Sequence, residues 1–277
     1  MAEEELPPSK LGTKTHWDEV YEREVRVFND VGDEGEVWFG ESSVIKMRKW
    51  AQRHLTPSTE PIRILECGSG NGTLLLSFLT SSSLEDDTPP VPQKFHLTGI
   101  DYSEGARELA QSITKSRREN IQQEIEDALE DDDEELVENE VEVDWRTEDL
   151  LRKDFEGEQW DLVLDKGTYD ALCLSSEGIA EEQGRLPSQV YPERIARLVK
   201  KGGYFLITSC NFTEEEIKGR YTKEGLVSHF VLFESDSSSG LIFESATMPS
   251  SSVPHPSFSF GGKSGTTVCT VAFKKVI

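Results

Sequence analysis

Arg63-Ile-Leu-Glu-Cys-Gly-Ser-Gly-Asn-Gly-Thr-Leu-Leu-Leu-Ser-Phe78 is the stretch whose reading decides the fold. Ile62, Ile64 and Leu65 form an apolar run too short for a helix and rich in strand formers, which predicts a buried strand. The apolar, glycine-free run from Thr73 to Thr80 predicts a helix. Between them stand an acid, Glu66, and three alternate glycines, Gly68, Gly70 and Gly72. Glycines at a strand-to-helix turn allow positive φ and let a ligand lie against bare backbone. The helix start then offers unpaired N–H groups to that ligand. Strand, glycine loop and helix together predict the opening unit of an α/β nucleotide-type cofactor fold.

The spacing narrows the cofactor. A dinucleotide loop reads G-x-G-x-x-G and receives a pyrophosphate. Here the spacing is G-x-G-x-G, with a carboxylate just ahead of the first glycine. A carboxylate at that strand end repels a diphosphate and suits a cationic ligand. S-adenosylmethionine, with its ammonium and sulfonium, meets that requirement. The pattern E-x-G-x-G-x-G resembles motif I of the class I, seven-β-strand methyltransferases.

Composition fits one such domain. The 277 residues suffice for a full α/β core with extensions, and no apolar run approaches the roughly 20 residues needed to span a bilayer. The start, Met1-Ala-Glu-Glu-Glu-Leu-Pro-Pro, has neither a basic nor an apolar region of a secretory signal. Cys67, Cys173, Cys210 and Cys269 are scattered without a C-x-x-C, so they are expected to be reduced and no metal is expected. The formal net charge is −24. That balance argues against nucleic acid, whose affinity comes largely from phosphate neutralisation, and permits attraction to a basic protein partner, although much of the charge sits in one insert where it can serve solubility alone.

In chain order, residues 1–10 read as a disordered lead-in and 11–60 as an N-terminal cap segment. Within the cap, Trp17, Val20 and Tyr21 share one helical face, and Val44, Met47, Trp50 and Ala51 another. Trp38-Phe39-Gly40-Glu41 has two readings: an amine-recognising lip, with aromatic faces for a cation and Glu41 to orient it, or an aromatic anchor for the cap. The second strand, Phe95 to Asp101, ends in an acid placed to accept ribose hydroxyls, while Ser103 suits a helix N-cap. A helix from Ala106 to Arg118 runs into an acidic insert at about 119–140, where like charges predict a mobile, solvated segment. Val141 to Trp145 alternates as the third strand, and the acid after it, Asp149 or alternatively Glu148, stands where class I methyltransferases commonly hold the adenine amino group. Gln159 to Leu164 is a strand entering Asp165-Lys-Gly-Thr-Tyr169, which should face the transferable methyl; the D-P-P-Y of nucleobase enzymes is absent. A helix from Ser188 to Lys200 closed by Gly202-Gly203, a strand from Tyr204 to Ser209, a capping box at Thr213 and Glu216, and strands at Leu241–Ser245 and Thr266–Phe273 complete the pattern. The expected fold is α/β: a doubly wound, mostly parallel seven-stranded sheet with an N-terminal helical cap, the methyltransferase domain spanning 61–277.

Taken together, Leu11-Gly-Thr-Lys with Trp17, Trp38-Phe-Gly-Glu41, Glu66 to Gly72, Asp165-Lys-Gly-Thr-Tyr-Asp-Ala171 and Thr208-Ser-Cys-Asn-Phe-Thr-Glu-Glu-Glu216 resemble the elongation factor 1-alpha lysine methyltransferase family, in its fungal branch. The resemblance runs from Leu11 onward, apart from the acidic insert and the Ser/Pro-rich loop. It implies S-adenosylmethionine-dependent mono- and dimethylation of a lysine on elongation factor 1-alpha, in the cytosol. A part in vesicle transport is also attached to the family, and no residue pattern here gives it a physical basis.

The implied cofactor set is Glu66, Gly68, Gly70, Asp101, Tyr102, Asp149, Leu150 and Asp165. Asp165, Tyr169 and Trp38 are expected around the target amine, with Glu41 steering it; no metal or oligomeric partner is expected. Two other readings start from the same residues: a methyltransferase of another protein or a small-molecule amine, and a non-catalytic binding module with an acidic surface. The intact cofactor loop argues against the second.

Overall fold

The computed structural model describes residues 5–82, 90–130, 135–153, 155–222, 230–232, 257–260, 263–266 and 268–276. The chain divides into two compact units, Thr13–Lys153 and Met1–Gly12 with Asp154–Ile277.

In the first unit, helix α1 (Lys14–Val31) starts where the Thr13 hydroxyl accepts the His16 N–H and stops at Gly32, which turns left-handed. Helix α2 (Glu41–His54) buries Val44, Met47, Trp50 and Ala51, the face its periodicity predicts. Strand β1 (Ile62–Cys67) leads through the glycine loop into α3 (Thr73–Leu76), shorter than the helix expected to Thr80. Ser77–Leu79 tightens into a 3-10 turn and β2 (Thr80–Ser82) begins. Thr80 turns extended because it pairs with Glu138, and the last carbonyls of the turn are satisfied from the same segment: the Asn139 side-chain amide donates to the Phe78 carbonyl (3.0 Å) and its main-chain N–H to that of Leu79 (2.9 Å).

Strand β3 (Lys94–Asp101) is followed by α4 (Glu104–Glu130), which buries Ala106, Leu109, Ala110 and Ile113. Helix therefore continues well into the acidic stretch. Strand β4 (Leu136–Glu138) then pairs antiparallel with β2, and β5 (Glu140–Thr147) follows. The order β5-β3-β1 is parallel throughout, with Gly99 opposite Trp145 and Leu65 opposite Thr98.

In the second unit, β6 (Trp160–Lys166) runs into α5 (Thr168–Leu172), and α6 (Pro187–Leu198) leads into β7 (Val199–Ser209). The expected closure of this helix by Gly202-Gly203 is corrected: it ends at Leu198, because Val199 turns extended and pairs with Trp160. The register then shifts, so that Leu162 meets Tyr204 and the glycines lie in an irregularity within the strand. Helix α7 (Glu214–Tyr221) carries the predicted capping box between Thr213 and Glu216. Strands β8 (Phe230–Leu232), β9 (Ser257–Phe260), β10 (Lys263–Thr266) and β11 (Cys269–Lys275) follow. The order is β6-β7-β11-β8: β6 and β7 are parallel, whereas β11 is antiparallel to both its neighbours. Leu241–Ser245 lies outside the described residues; among those described, β8 is the partner of β11 on the side away from β7. Gly12 belongs here too, its Cα so close to the Leu174–Ser175 backbone that a Cβ would meet it at 2.3 Å.

Trp145 ties the sheet to the glycine loop. Its ring lies over both Gly99 and Gly72, and its Nε1–H donates to the Thr114 hydroxyl at 2.9 Å. A Cβ at Gly99 would stand 2.1 Å from that ring. Gly99→Ala is therefore expected to destabilise the protein by about 1–3 kcal/mol through overpacking. Gly219→Ala, in α7 with open space around it, is expected to leave stability unchanged or slightly raised. Urea unfolding of the two variants checks the contrast.

Candidate functional site

Most predicted site residues lie in the first unit, on the carboxyl ends of β1, β3 and β5. Glu66 occupies the penultimate position of β1 and is 2% exposed. Gly68, Gly70 and Gly72 all have positive φ (63°, 53° and 79°), the freedom for which the sequence supplies glycine. Asp101, the last residue of β3, is buried and crosses to this loop. Its Oδ2 accepts the Gly70 N–H at 3.1 Å and its Oδ1 the Ser103 N–H at 2.9 Å. An ionised carboxylate offers about four lone-pair positions, so acceptor capacity remains on both oxygens. Burial pushes the carboxyl up to about 6, against the two N–H donors and nearby Lys14, which pull it down.

Tyr102 is half-buried with the Lys14 ammonium 5.3 Å from its ring centroid. Leu150 is buried beside Asp149. The Asp149 carboxylate is engaged locally, accepting the Leu151 N–H at 2.9 Å and pairing with Arg152 at 3.2 Å. Glu148, held to β3 by its N–H on the Asp101 carbonyl (2.8 Å), pairs one oxygen with Lys153 and keeps Oε2 buried without a hydrogen-bond partner among the described residues. The Ser103 hydroxyl is in the same condition and does not cap α4.

Trp38 packs edge-on against Trp17 (5.0 Å between centroids), and Trp17 stacks on Tyr21 (6.1 Å). Phe39 and Gly40 both take positive φ, 63° and 72°, a strained turn for a bulky residue, immediately before α2. Glu41 is the exposed first residue of that helix. The aromatic cluster thus has the contacts of an anchor, while Trp38 and Phe39 remain half-buried and Glu41 open to solvent.

Asp165 and Tyr169 lie in the second unit. Asp165 is fully buried: Oδ1 accepts the Thr168 N–H at 2.8 Å, and Oδ2 accepts the Tyr169 N–H (3.1 Å) and the Tyr191 hydroxyl (2.6 Å). Burial pushes its carboxyl up to about 7 despite these donors. Tyr169 is 1% exposed, its ring stacked on Tyr191 and its hydroxyl between the Ser188 carbonyl (3.4 Å) and Arg220 (3.3 Å). The Asp165 carboxylate holds the turn after β6, and the Tyr169 side chain is itself held between α6 and α7.

Three residues with structural roles at these loops carried no role in the sequence reading. Asn71 accepts from the N–H and hydroxyl of Thr73 and donates to the Glu34 carbonyl at 3.0 Å, and Glu34 is paired with Arg117 of α4. Tyr191, 26 residues from Asp165, gave no local signal. Asp170 is buried, and its carboxylate accepts from the Ser209 hydroxyl (2.6 Å), the Cys210 N–H (2.9 Å) and the Asn211 N–H (3.4 Å). It therefore joins Asp165-Lys-Gly-Thr-Tyr-Asp to Ser209-Cys-Asn, two motifs far apart in the chain.

The family described as "Methyltransferase domain" matches residues 58–232. The protein-lysine N-methyltransferase efm4 of Schizosaccharomyces pombe is 36% identical, the alignment covering 97% of this chain and 95% of that one. Human EEF1A lysine methyltransferase 2 is 34% identical over 99% and 90%, respectively. The Saccharomyces cerevisiae protein-lysine N-methyltransferase EFM4 is 31% identical over 98% and 97%.

The raised pKa of Asp165 has a consequence for stability. Unfolding returns it to its ordinary value of 3.8, so the folded state holds the proton more tightly. Its contribution to stability is full below about 3.8 and is lost as pH rises through about 7. Asp165→Asn is expected to flatten the fall in unfolding free energy between about pH 4 and about pH 7. Urea unfolding at several pH values measures that slope.

Proposed function

Because the chain belongs to the elongation factor 1-alpha lysine methyltransferase family, within the methyltransferase-domain proteins, we propose that it mono- and dimethylates a lysine of elongation factor 1-alpha with S-adenosylmethionine. The observation that carries the cofactor half is the pair of buried carboxylates, Glu66 and Asp101, flanking a positive-φ glycine loop. The residues present suit the group. Two acceptors meet an ammonium and ribose hydroxyls, the glycines Gly68 and Gly70 add no side chain of their own to the loop, and the buried oxygens of Ser103 and Glu148 await partners. Glu66, Gly68, Gly70, Asp101, Tyr102, Asp149 and Leu150 form the cofactor set in this reading, and Glu148 is better suited than Asp149 to take the adenine amino group. When bound, the cofactor supplies an electrophilic methyl carbon on sulfur.

What this chain must supply is an aligned, neutral amine. A free lysine has pKa near 10.4, and desolvation beside aromatic rings lowers it. Trp38 is assigned to receive the amine and Glu41 to steer the protonated side chain inward from solvent. Asp165 and Tyr169 act by position: their bonds fix the turn at Lys166-Gly167-Thr168, and alignment contributes through proximity. Their polar atoms are already engaged within the fold, which weighs against direct contact with the amine and against the cofactor contact expected of Asp165.

The charge of −24 favours a basic protein over a nucleic acid as substrate. Among the described residues no helix is long and apolar enough to cross a membrane. The four cysteines are free, which suits a reducing compartment such as the cytosol.

Incubation with labelled S-adenosylmethionine and a lysate lacking this protein tests the proposal. One labelled band of elongation factor 1-alpha, absent with Asp101→Ala, is the expected result. Label in small molecules alone would favour a metabolite amine, and label in other proteins alone would reject the substrate.

A further inference from the structure

Tyr21 is the side chain that the cofactor set above leaves out. It sits on α1 between two glycines. Its hydroxyl lies so close to Gly70 that a Cβ there would meet it at 2.5 Å, and its own backbone and Cβ stand 3.1 Å from where a Cβ on Gly105 would be. Gly70 is the residue whose N–H binds Asp101, and Gly105 lies in the first turn of α4, four residues after Asp101. The Tyr21 ring is fixed by stacking on Trp17. Its hydroxyl makes no hydrogen bond to any described residue. The hydroxyl therefore stands over the bare face of the glycine loop, beside the carboxylate that the cofactor reading assigns to the ribose.

From this geometry we infer that Tyr21 is a further cofactor-binding residue, whose O–H donates to a ribose hydroxyl oxygen held by Asp101. The inference rests on the cofactor reading of the preceding section and adds a donor to it. The chemistry requires one. Each ribose hydroxyl gives its hydrogen to Asp101, an acceptor only, and keeps lone pairs that need a donor in a water-poor pocket. Burial opposes ionisation of Tyr21, as do Asp101, Glu24, Tyr102 and Glu66, so the hydroxyl stays a neutral donor. Asp101 and Tyr21 then serve as acceptor and donor for the same sugar, and α1 becomes part of the binding site.

The test is calorimetric titration of the full chain, wild type and Tyr21→Phe, with S-adenosylhomocysteine and with 5′-methylthioadenosine. The second probe keeps the ribose and lacks the amino acid moiety. Phe retains the ring and its stack, and thermal melting without ligand verifies that the fold is kept. Tyr21→Phe is expected to weaken both probes by the same five- to ten-fold, the scale of one neutral hydrogen bond. Removing the 2′- or the 3′-hydroxyl from methylthioadenosine is expected to abolish the difference between the two proteins for one of the two analogues. Unchanged affinity for both parent probes would overturn the inference. So would a loss confined to S-adenosylhomocysteine, or a penalty that persists with both deoxy analogues. Failure of the wild type to bind S-adenosylhomocysteine would instead remove the cofactor reading beneath it.

Discussion

The hydrogen bond from the Gly70 N–H to the Asp101 carboxylate is the contact on which the candidate site depends. It joins the loop after β1 to the end of β3, two strands that are already parallel neighbours. The Ser69 N–H on the Ile100 carbonyl, at 3.0 Å, reinforces the same junction. A buried carboxylate left alone would carry a large desolvation penalty, and Asp101 offsets part of it by fixing two backbone N–H groups. The remaining burden appears as a raised pKa.

The second unit uses the same device twice. Asp165 gathers the N–H groups at the start of α5 and the Tyr191 hydroxyl, and Asp170 gathers the loop after β7. In each case a short acidic side chain near a strand end substitutes for backbone acceptors that a turn cannot provide. Loops built this way are irregular yet held by several bonds. A transfer reaction that relies on alignment needs such rigidity more than it needs a proton-transfer group. Asn71 extends the device to the segment before α2: the Glu34 backbone is tied to the glycine loop and its side chain to Arg117.

Much of this was legible in the sequence because the decisive signals are local. The acid, the alternate glycines and the apolar flanks of Arg63 to Phe78 are contiguous, and the structure gives strand, positive-φ loop and helix there. Asp101 was legible because it ends an apolar strand. The extent of α3 was not, since Thr80 finds a strand partner in Glu138, some sixty residues on. The end of α6 was misread because glycines close helices often, whereas here Val199 first finds a strand partner in Trp160. Asp170 and Tyr21 carried no signal of the roles they have here. One is buried in the fold and meets a loop 39 residues away, and the other looked like an ordinary member of an apolar helix face.

Peptide mass spectrometry of elongation factor 1-alpha, from cells lacking this protein and from the same cells with it restored, tests the central claim most directly. The account predicts one lysine that is unmethylated in the first sample and mono- or dimethylated in the second. An identical methylation pattern in both would contradict it.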